Sequence, residues 1–322
     1  MANLDGATTE SPFHRGEQAI HARLGILERM DKQGRRFIRD YMLDQHRQFF
    51  AQLPYVIAGT VDAAGAPWAS ILVGNPGFLS SSDDRALRVT AKPLFGDPLG
   101  HTLAKGADIG LLGIELHTRR RNRLNGTVVA IDAEGFDVKV KQSFGNCPQY
   151  IQARMFELRE DMLSASRVVW EVTTLEAQER KIISTSDTFF IATAHLDASA
   201  GTASGVDVSH RGGKPGFVRI DGDRSLTIPD FSGNLHFNTF GNLELNPRAG
   251  LLFIDFERGD LLYLTGTAVV IWDGDEINTY AGAERLLRFH LEKGYLLEGG
   301  LPLRWTEPEF SPFLDRMGAW QS

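Results

Sequence analysis

Gly110-Leu-Leu-Gly-Ile-Glu115 returns as Gly250-Leu-Leu-Phe-Ile-Asp255, 140 positions further on, and Asn125-Gly-Thr-Val-Val129 returns as Thr265-Gly-Thr-Ala-Val269 at the same offset. Pro76-Gly-Phe78 pairs with Pro215-Gly-Phe217 at 139, and Val56-Ile-Ala-Gly-Thr60 with Phe190-Ile-Ala-Thr-Ala194 at 134. Four matches in one order, at nearly constant offset, mean two copies of one domain that differ by short loop insertions.

Each copy reads as a helix followed by short strands. In the first, Gln45 to Leu53 is helical and stops before Pro54; Tyr55 to Val61, Trp68 to Val73, Leu87 to Ala91, Ile109 to Leu116, Arg121 to Asp132 and Phe136 to Val140 carry strand patterning. In the second, Thr173-Thr-Leu-Glu176 has the form of a capping box, and Thr188 to His195, Leu226 to Ile228, Ala249 to Asp255 and Leu261 to Trp272 read as strands. Asn146 as N-cap, with Pro148 in the first turn and Gln149 at the third position, predicts a linking helix to about Glu160. Ala281 to Lys293, closed by Gly294, predicts a C-terminal helix. The fold class expected is mainly β with peripheral helices: two tandem six-stranded antiparallel barrels, closed to remove exposed edges and packed as an internal pseudo-dimer. The corresponding divisions are 1–36 (N-terminal extension), 37–165 (first barrel and linking helix), 166–278 (second barrel) and 279–322 (C-terminal helix and tail).

Glycine is abundant, 33 in 322 residues, as many tight turns between short strands require. The net charge of −7 argues against nucleic-acid binding through bulk positive charge. One cysteine forms no intrachain disulfide, and neither a His-Glu-x-x-His nor a Gly-x-Ser-x-Gly run occurs, so no metal site is expected and no Ser-based hydrolase. Without a signal-like N-terminus or an apolar stretch of membrane length, the expectation is a cytoplasmic protein that acts on neither membranes nor nucleic acid.

Three polar clusters are candidate sites. Where the second copy has Leu261, Leu262 and Tyr263, the first has Arg121, Asn122 and Arg123, preceded by Arg119 and Arg120. Alternation puts residues 119, 121 and 123 on one face, either as an anion site or as a charged strand edge. Asp207-Val-Ser-His-Arg-Gly-Gly-Lys214 offers Ser209, Arg211 and Lys214 beside two glycines, a donor-rich loop or a plain charged turn. Pro229 to Asn242 carries amides suited to the edge of a heterocycle, or to Asx turns and a helix cap. Cys147 fits a small buried hydrophobe or a thiol activated by a helix terminus.

Together, Phe13-His-Arg-Gly-Glu17, Arg119-Arg-Arg-Asn-Arg-Leu-Asn-Gly126, Ser143-Phe-Gly-Asn-Cys-Pro-Gln-Tyr-Ile151, Ser209-His-Arg-Gly-Gly213, Pro229-Asp230 and Gly241-Asn242 resemble the pyridoxamine 5′-phosphate oxidase-like family of FMN-binding split barrels, in its long tandem form. The resemblance implies a flavin, FMN with FAD as the alternative, in a groove where two barrels meet. Ser209, His210, Arg211, Lys214, Asn238, Thr239 and Asn242 would contribute from the second copy, and Arg121, Arg123, Asn146 and Tyr150 from the first. It also implies redox transfer with a small-molecule substrate or electron donor, a homodimer as a candidate assembly, and no assigned catalytic side chain. A non-catalytic flavin or haem-related carrier or sensor is the alternative. The family's phosphate-gripping Arg-Leu motif near the C-terminus is replaced by Leu301-Pro-Leu-Arg-Trp-Thr-Glu-Pro308, so oxidation of vitamin B6 is not expected.

Overall fold

Pro54 has no N–H to donate to a helix ladder, so α3 (Asp44–Ala51) ends just before it and the chain extends into β1 (Tyr55–Val61). The protein is seen here as a computed structural model, which describes residues 11–159 and 167–321. Ahead of α3 lie α1 (Arg15–Arg23) and α2 (Leu27–Phe37); after β1 come β2 (Pro67–Val73), β3 (Leu79–Ser80), β4 (Ala86–Val89), α4 (Leu99–Thr102), β5 (Asp108–Glu115), β6 (Arg120–Ile131) and β7 (Phe136–Gly145). They form one antiparallel sheet in the order β2-β1-β5-β6-β7-β4-β3.

Past β8 (Phe156–Leu158) and β9 (Val169–Val172), the plan repeats with α5 (Ala177–Thr185), β10 (Thr188–His195), β11 (Gly205–Gly212), β12 (Arg219–Asp221), β13 (Ser225–Asp230), α6 (Asn238–Leu245), β14 (Arg248–Ile254), β15 (Leu261–Ile271) and β16 (Arg285–Leu297). Their order, β11-β10-β14-β15-β16-β13-β12, matches the first sheet strand for strand. Each copy holds the six expected strands and a short seventh, β3 or β12. In addition β9 pairs with the end of β16, and β17 (Leu303–Trp305) pairs with β8.

Several expectations are corrected. No helix follows Asn146 within the described residues: 146–155 is irregular and leads into β8. Residues beyond 159 in that predicted helix fall outside the described residues. The predicted helix from Ala281 is strand β16, the counterpart of β7, so the second sheet continues past residue 278 to Leu297. Cross-strand pairing decides this segment: Leu287, Phe289 and Leu291 are buried while His290 and Glu292 are exposed, a period of two. Asp207 to Gly212 belongs to edge strand β11, and the turn begins only after it.

One offset also changes. β1 pairs Ile57 with Leu112, and β10 pairs Phe190 with Leu252. Since Leu112 and Leu252 are equivalent at 140, Ile57 corresponds to Phe190, an offset of 133. The match at 134 would put each inward residue opposite an outward one. With the corrected register, Val56 and Ala58 face the first core as Phe189 and Ile191 face the second, while Ile57 and Phe190 face a third core lying between the sheets.

The sheets touch through backbone. A Cβ at Gly110 would lie 2.4 Å from the Val206 carbonyl of β11, and one at the equivalent Gly250 would lie 2.3 Å from the Pro67 carbonyl of β2. Val206 and Pro67 are themselves equivalent at offset 139, so a pseudo-twofold relates the two contacts, and the repeated glycine has a steric reason. Gly250→Ala is expected to cost about 1–3 kcal/mol by overpacking. Gly100→Ala, where an added Cβ meets nothing, should leave the melting temperature nearly unchanged. Equal thermal stability of the two variants would show that the halves do not depend on this contact.

Candidate functional site

Where β6 of the first sheet runs beside β11 of the second, a cleft opens with about 950 Å³ of empty space counting its open mouth. Arg121 and Arg123 enter from β6, Ser209, His210 and Arg211 from β11, and Asn146, Cys147 and Tyr150 from the chain after β7. The loop from Pro229 and the first turn of α6, with Asn238, Thr239 and Phe240, close it together with Arg285. Phe237 at the helix N-cap has no side-chain cap bond, so the N-cap side chain satisfies none of the first-turn N–H groups of α6.

Four guanidiniums share this space with one lining carboxylate. Asp230 pairs with both Arg211 and Arg285, and Arg123 NH1 donates to Asp207 Oδ1 at 2.6 Å from behind the wall. Arg121 has no carboxylate partner in the described structure. Its Nε donates to the Cys147 carbonyl at 2.6 Å, and NH1 lies 3.3 Å from His210 Nδ1. Burial pushes the Arg121 pKa down to about 10, and Arg123 and Arg211 add to the effect against the opposing influence of Cys147. Glu284 also pairs with Arg285, so one positive charge remains after pairing, that of Arg121, and an anion would balance it.

His210 is buried, and its pKa lies well below the usual range because of that burial and the nearby Arg121, Arg211 and Arg154. A guanidinium only donates, so Nδ1 is the acceptor and the proton sits on Nε2. That Nε2, with Arg123 Nε, Arg211 Nε and Asn146 Nδ2, has no hydrogen-bond partner among the described residues. Buried donors of this kind require an acceptor.

The backbone around the cleft is strained. Four described non-glycine residues have positive φ, and three of them line it: Tyr150 (61°), Leu235 (62°) and Phe237 (58°). Such conformations cost about 1–3 kcal/mol each and persist where the surroundings impose them. Aromatic faces complete the wall, with Tyr150 5.2 Å from Phe231, the Arg211 guanidinium over Phe240 and that of Arg285 over Phe237.

Nine of the eleven residues expected from sequence meet here: Arg121, Arg123, Asn146, Tyr150, Ser209, His210, Arg211, Asn238 and Thr239. Lys214 does not; its Nζ is exposed and donates to the Met317 carbonyl at 3.3 Å. Asn242 lies one turn deeper, donating to Asp207 and Thr193. Arg119 does not share the face of Arg121 and Arg123, because its left-handed backbone precedes β6 and turns its side chain to the Ile151 and Glu309 carbonyls. Arg285 was missed with the strand that carries it; the register of β13 on β16 pairs it with Asp230.

The pseudo-twofold places a twin location at β15 and β2, and it is filled. Leu261 and Tyr263 stand where Arg121 and Arg123 stand, packed with Ile71, Ile254, Leu297, Leu301 and Leu303 in the core between the sheets. Tyr263 donates to Asp97 at 2.9 Å, and burial pushes that carboxyl up to about 6.

Residues 42–181 match the family profile described as pyridoxamine 5′-phosphate oxidase, and over that segment the chain is similar to the pyridoxamine 5′-phosphate oxidase-like family. No curated protein matches the sequence. Among solved structures, two of Group A Streptococcus HupZ are similar. One, a single-residue variant, has 15 % identity and a TM-score of 0.29 over 38 % of this chain and 99 % of its own. The other has 19 % identity and a TM-score of 0.27 over 36 % and 90 %. A candidate pyridoxamine 5′-phosphate oxidase from Lactobacillus delbrueckii has 13 % identity and a TM-score of 0.29 over 38 % and 94 %.

His236, in the loop behind the cleft, packs edge-on against Phe13 and Phe144, and burial, with Arg123 and His21 nearby, pushes its pKa down to about 4. An unfolded histidine titrates near 6.5, so the unfolded chain binds the extra proton between about 6.5 and 4, and the stability this group contributes falls as the pH falls through that window. The melting temperature of His236→Phe, relative to wild type, should therefore rise as the pH goes from 7.5 to 4.5. A difference that stays constant with pH would show that His236 is not held neutral.

Proposed function

We propose that this protein binds one FMN per chain in the cleft between its two halves and serves as a flavin-dependent oxidoreductase for a small-molecule donor. The observation that carries the reading is Arg121, a half-buried guanidinium without a carboxylate partner among the described residues, on a cleft wall belonging to the family-matched segment. The donor set suits a phosphate monoester: Arg121, Arg123, Ser209 and the first turn of α6 offer charge-assisted and hydroxyl hydrogen bonds. Asn146, His210 and the Ser232-Gly-Asn234 backbone offer polar groups for a heterocycle, and Tyr150 and Phe231 offer flat apolar surface. Bound there, FMN would supply hydride or single-electron transfer, chemistry that belongs to the cofactor. The chain's own part is to hold, orient and partly desolvate it. FAD is the alternative cofactor.

A second reading, a non-catalytic flavin or haem-related carrier or sensor, draws support from Asp230, which is tied to two arginines, and from His210, which burial and its arginine neighbours hold neutral. Anaerobic addition of reduced nicotinamide, or of pyridoxamine 5′-phosphate, separates the two readings. Bleaching of the flavin by a donor and its return in air support the oxidoreductase; no bleaching by any donor supports the carrier. Bleaching by pyridoxamine 5′-phosphate itself would contradict the expectation drawn from the C-terminal residues.

Titration with FMN should saturate at one per chain, because the twin location is filled. Arg121→Leu, the residue the twin carries at Leu261, should weaken binding by about 1.5–3 kcal/mol while leaving thermal stability equal or higher. No FMN binding by wild type at tens of micromolar, or equal affinity in the variant, would overturn the assignment.

A further inference from the structure

α1 stands outside both sheets, yet it touches the cleft's scaffold through backbone: a Cβ at Gly16 would lie 2.0 Å from the Gly241 carbonyl of α6. From it runs a buried hydrogen-bond chain whose direction is fixed throughout. His14 Nδ1 accepts the Gly16 N–H at 3.1 Å, which puts the ring proton on Nε2, and Nε2 donates to Asn242 Oδ1 at 2.9 Å. That contact sets the amide orientation, so Asn242 Nδ2 donates to Asp207 Oδ2 at 2.9 Å and to Thr193. Asp207 Oδ1 then accepts from Arg123 NH1 at 2.6 Å and from Asn125 at 2.8 Å, and the other arm of Arg123 reaches Ser209 in the cleft. A second branch runs from Glu17, which accepts the His14 N–H at 2.9 Å and the amide of the cleft residue Asn238 at 2.5 Å. His14, Glu17, Asn242, Asp207 and Arg123 are each no more than 7 % exposed.

We infer that His14 and Glu17 are positioning residues for the cleft: the segment ahead of the first sheet aims Arg123 and Asn238 at the ligand without touching it. A loosely tethered guanidinium would have to be ordered on each binding event, whereas Arg123 is fixed on both arms beforehand. The inference rests on the FMN reading for its ligand, but not for the geometry of Arg123.

The test is His14→Asn. Asparagine is a good N-cap and keeps the acceptor for the Gly16 N–H, but it is too short to reach Asn242. Thermal stability should stay within a few degrees of wild type, while the FMN dissociation constant rises at least tenfold. In an Arg123→Lys background the same substitution should add almost nothing, since the group it aims is gone. A ligand-free measurement makes the outcome independent of the flavin: the Arg123 Nε–H resonance, assigned by its loss in Arg123→Lys, should shift or broaden in His14→Asn. If that resonance is unchanged, or if the two substitutions multiply in their effect on affinity, the inference is wrong. If the resonance moves and wild type binds no FMN, the positioning stands and the flavin reading fails. Should His14→Asn not fold, Glu17→Gln keeps the side-chain shape while replacing one acceptor by a donor. It is read by FMN affinity and by the Asn238 side-chain amide resonance, and lack of change in both would refute the second branch.

Discussion

Everything functional in this molecule depends on two strands being able to touch two others with nothing between them. Gly110 against the β11 backbone and Gly250 against the β2 backbone let the sheets approach more closely than any side chain would allow. That approach brings β6 within side-chain reach of β11, so that Arg123 meets Asp207 and Ser209 although more than eighty residues separate them in sequence. It also makes room for the shared apolar core, in which Ile57, Ile71 and Leu112 of one copy pack with Phe190, Val208 and Leu252 of the other. A bulkier residue at either glycine would separate the halves, and the cleft would lose a wall.

The cleft is held in a state that only a ligand would fully satisfy. Removing guanidiniums from water is costly unless they are paired, and pairing is incomplete: Asp230 serves two arginines, Asp207 serves one, and Arg121 has only a carbonyl and a neutral imidazole. The left-handed Tyr150, Leu235 and Phe237 add strain at the same place. Packing elsewhere must offset both, and the three apolar cores between and within the sheets are where that stabilisation resides.

Much of this was legible in the sequence because the chain repeats itself. The strands of the first copy, the paired glycines and the exchange of Arg121 and Arg123 for Leu261 and Tyr263 could all be read by comparing halves. The errors arose where local signals were trusted over that comparison. Leu286, Leu287, Phe289 and Leu291 fit a helical face as well as a strand, and only the correspondence with β7 separates the two; with β16 misread, Arg285 disappeared from the site. Asn146 and Pro148 imitate a helix start, but the segment is needed to bring Cys147 and Tyr150 over the cleft, and tertiary contacts override the cap signal. The 134 offset matched letters rather than faces, a slip that only strand pairing exposes. The role of α1 was illegible because hydrogen-bond direction depends on partners more than two hundred residues away.

The filled twin location shows what fusing two copies into one chain makes available. In a symmetric pair of identical subunits every substitution occurs twice, so an arginine that helps one groove must also be accommodated in the other. Here positions 121 and 261 are encoded separately. One groove could accumulate charge, strain and unsatisfied donors while its counterpart became hydrophobic filling that fastens the halves together. The difference between the grooves is therefore carried within a single gene product: one keeps a charged, open lining while the other serves cohesion.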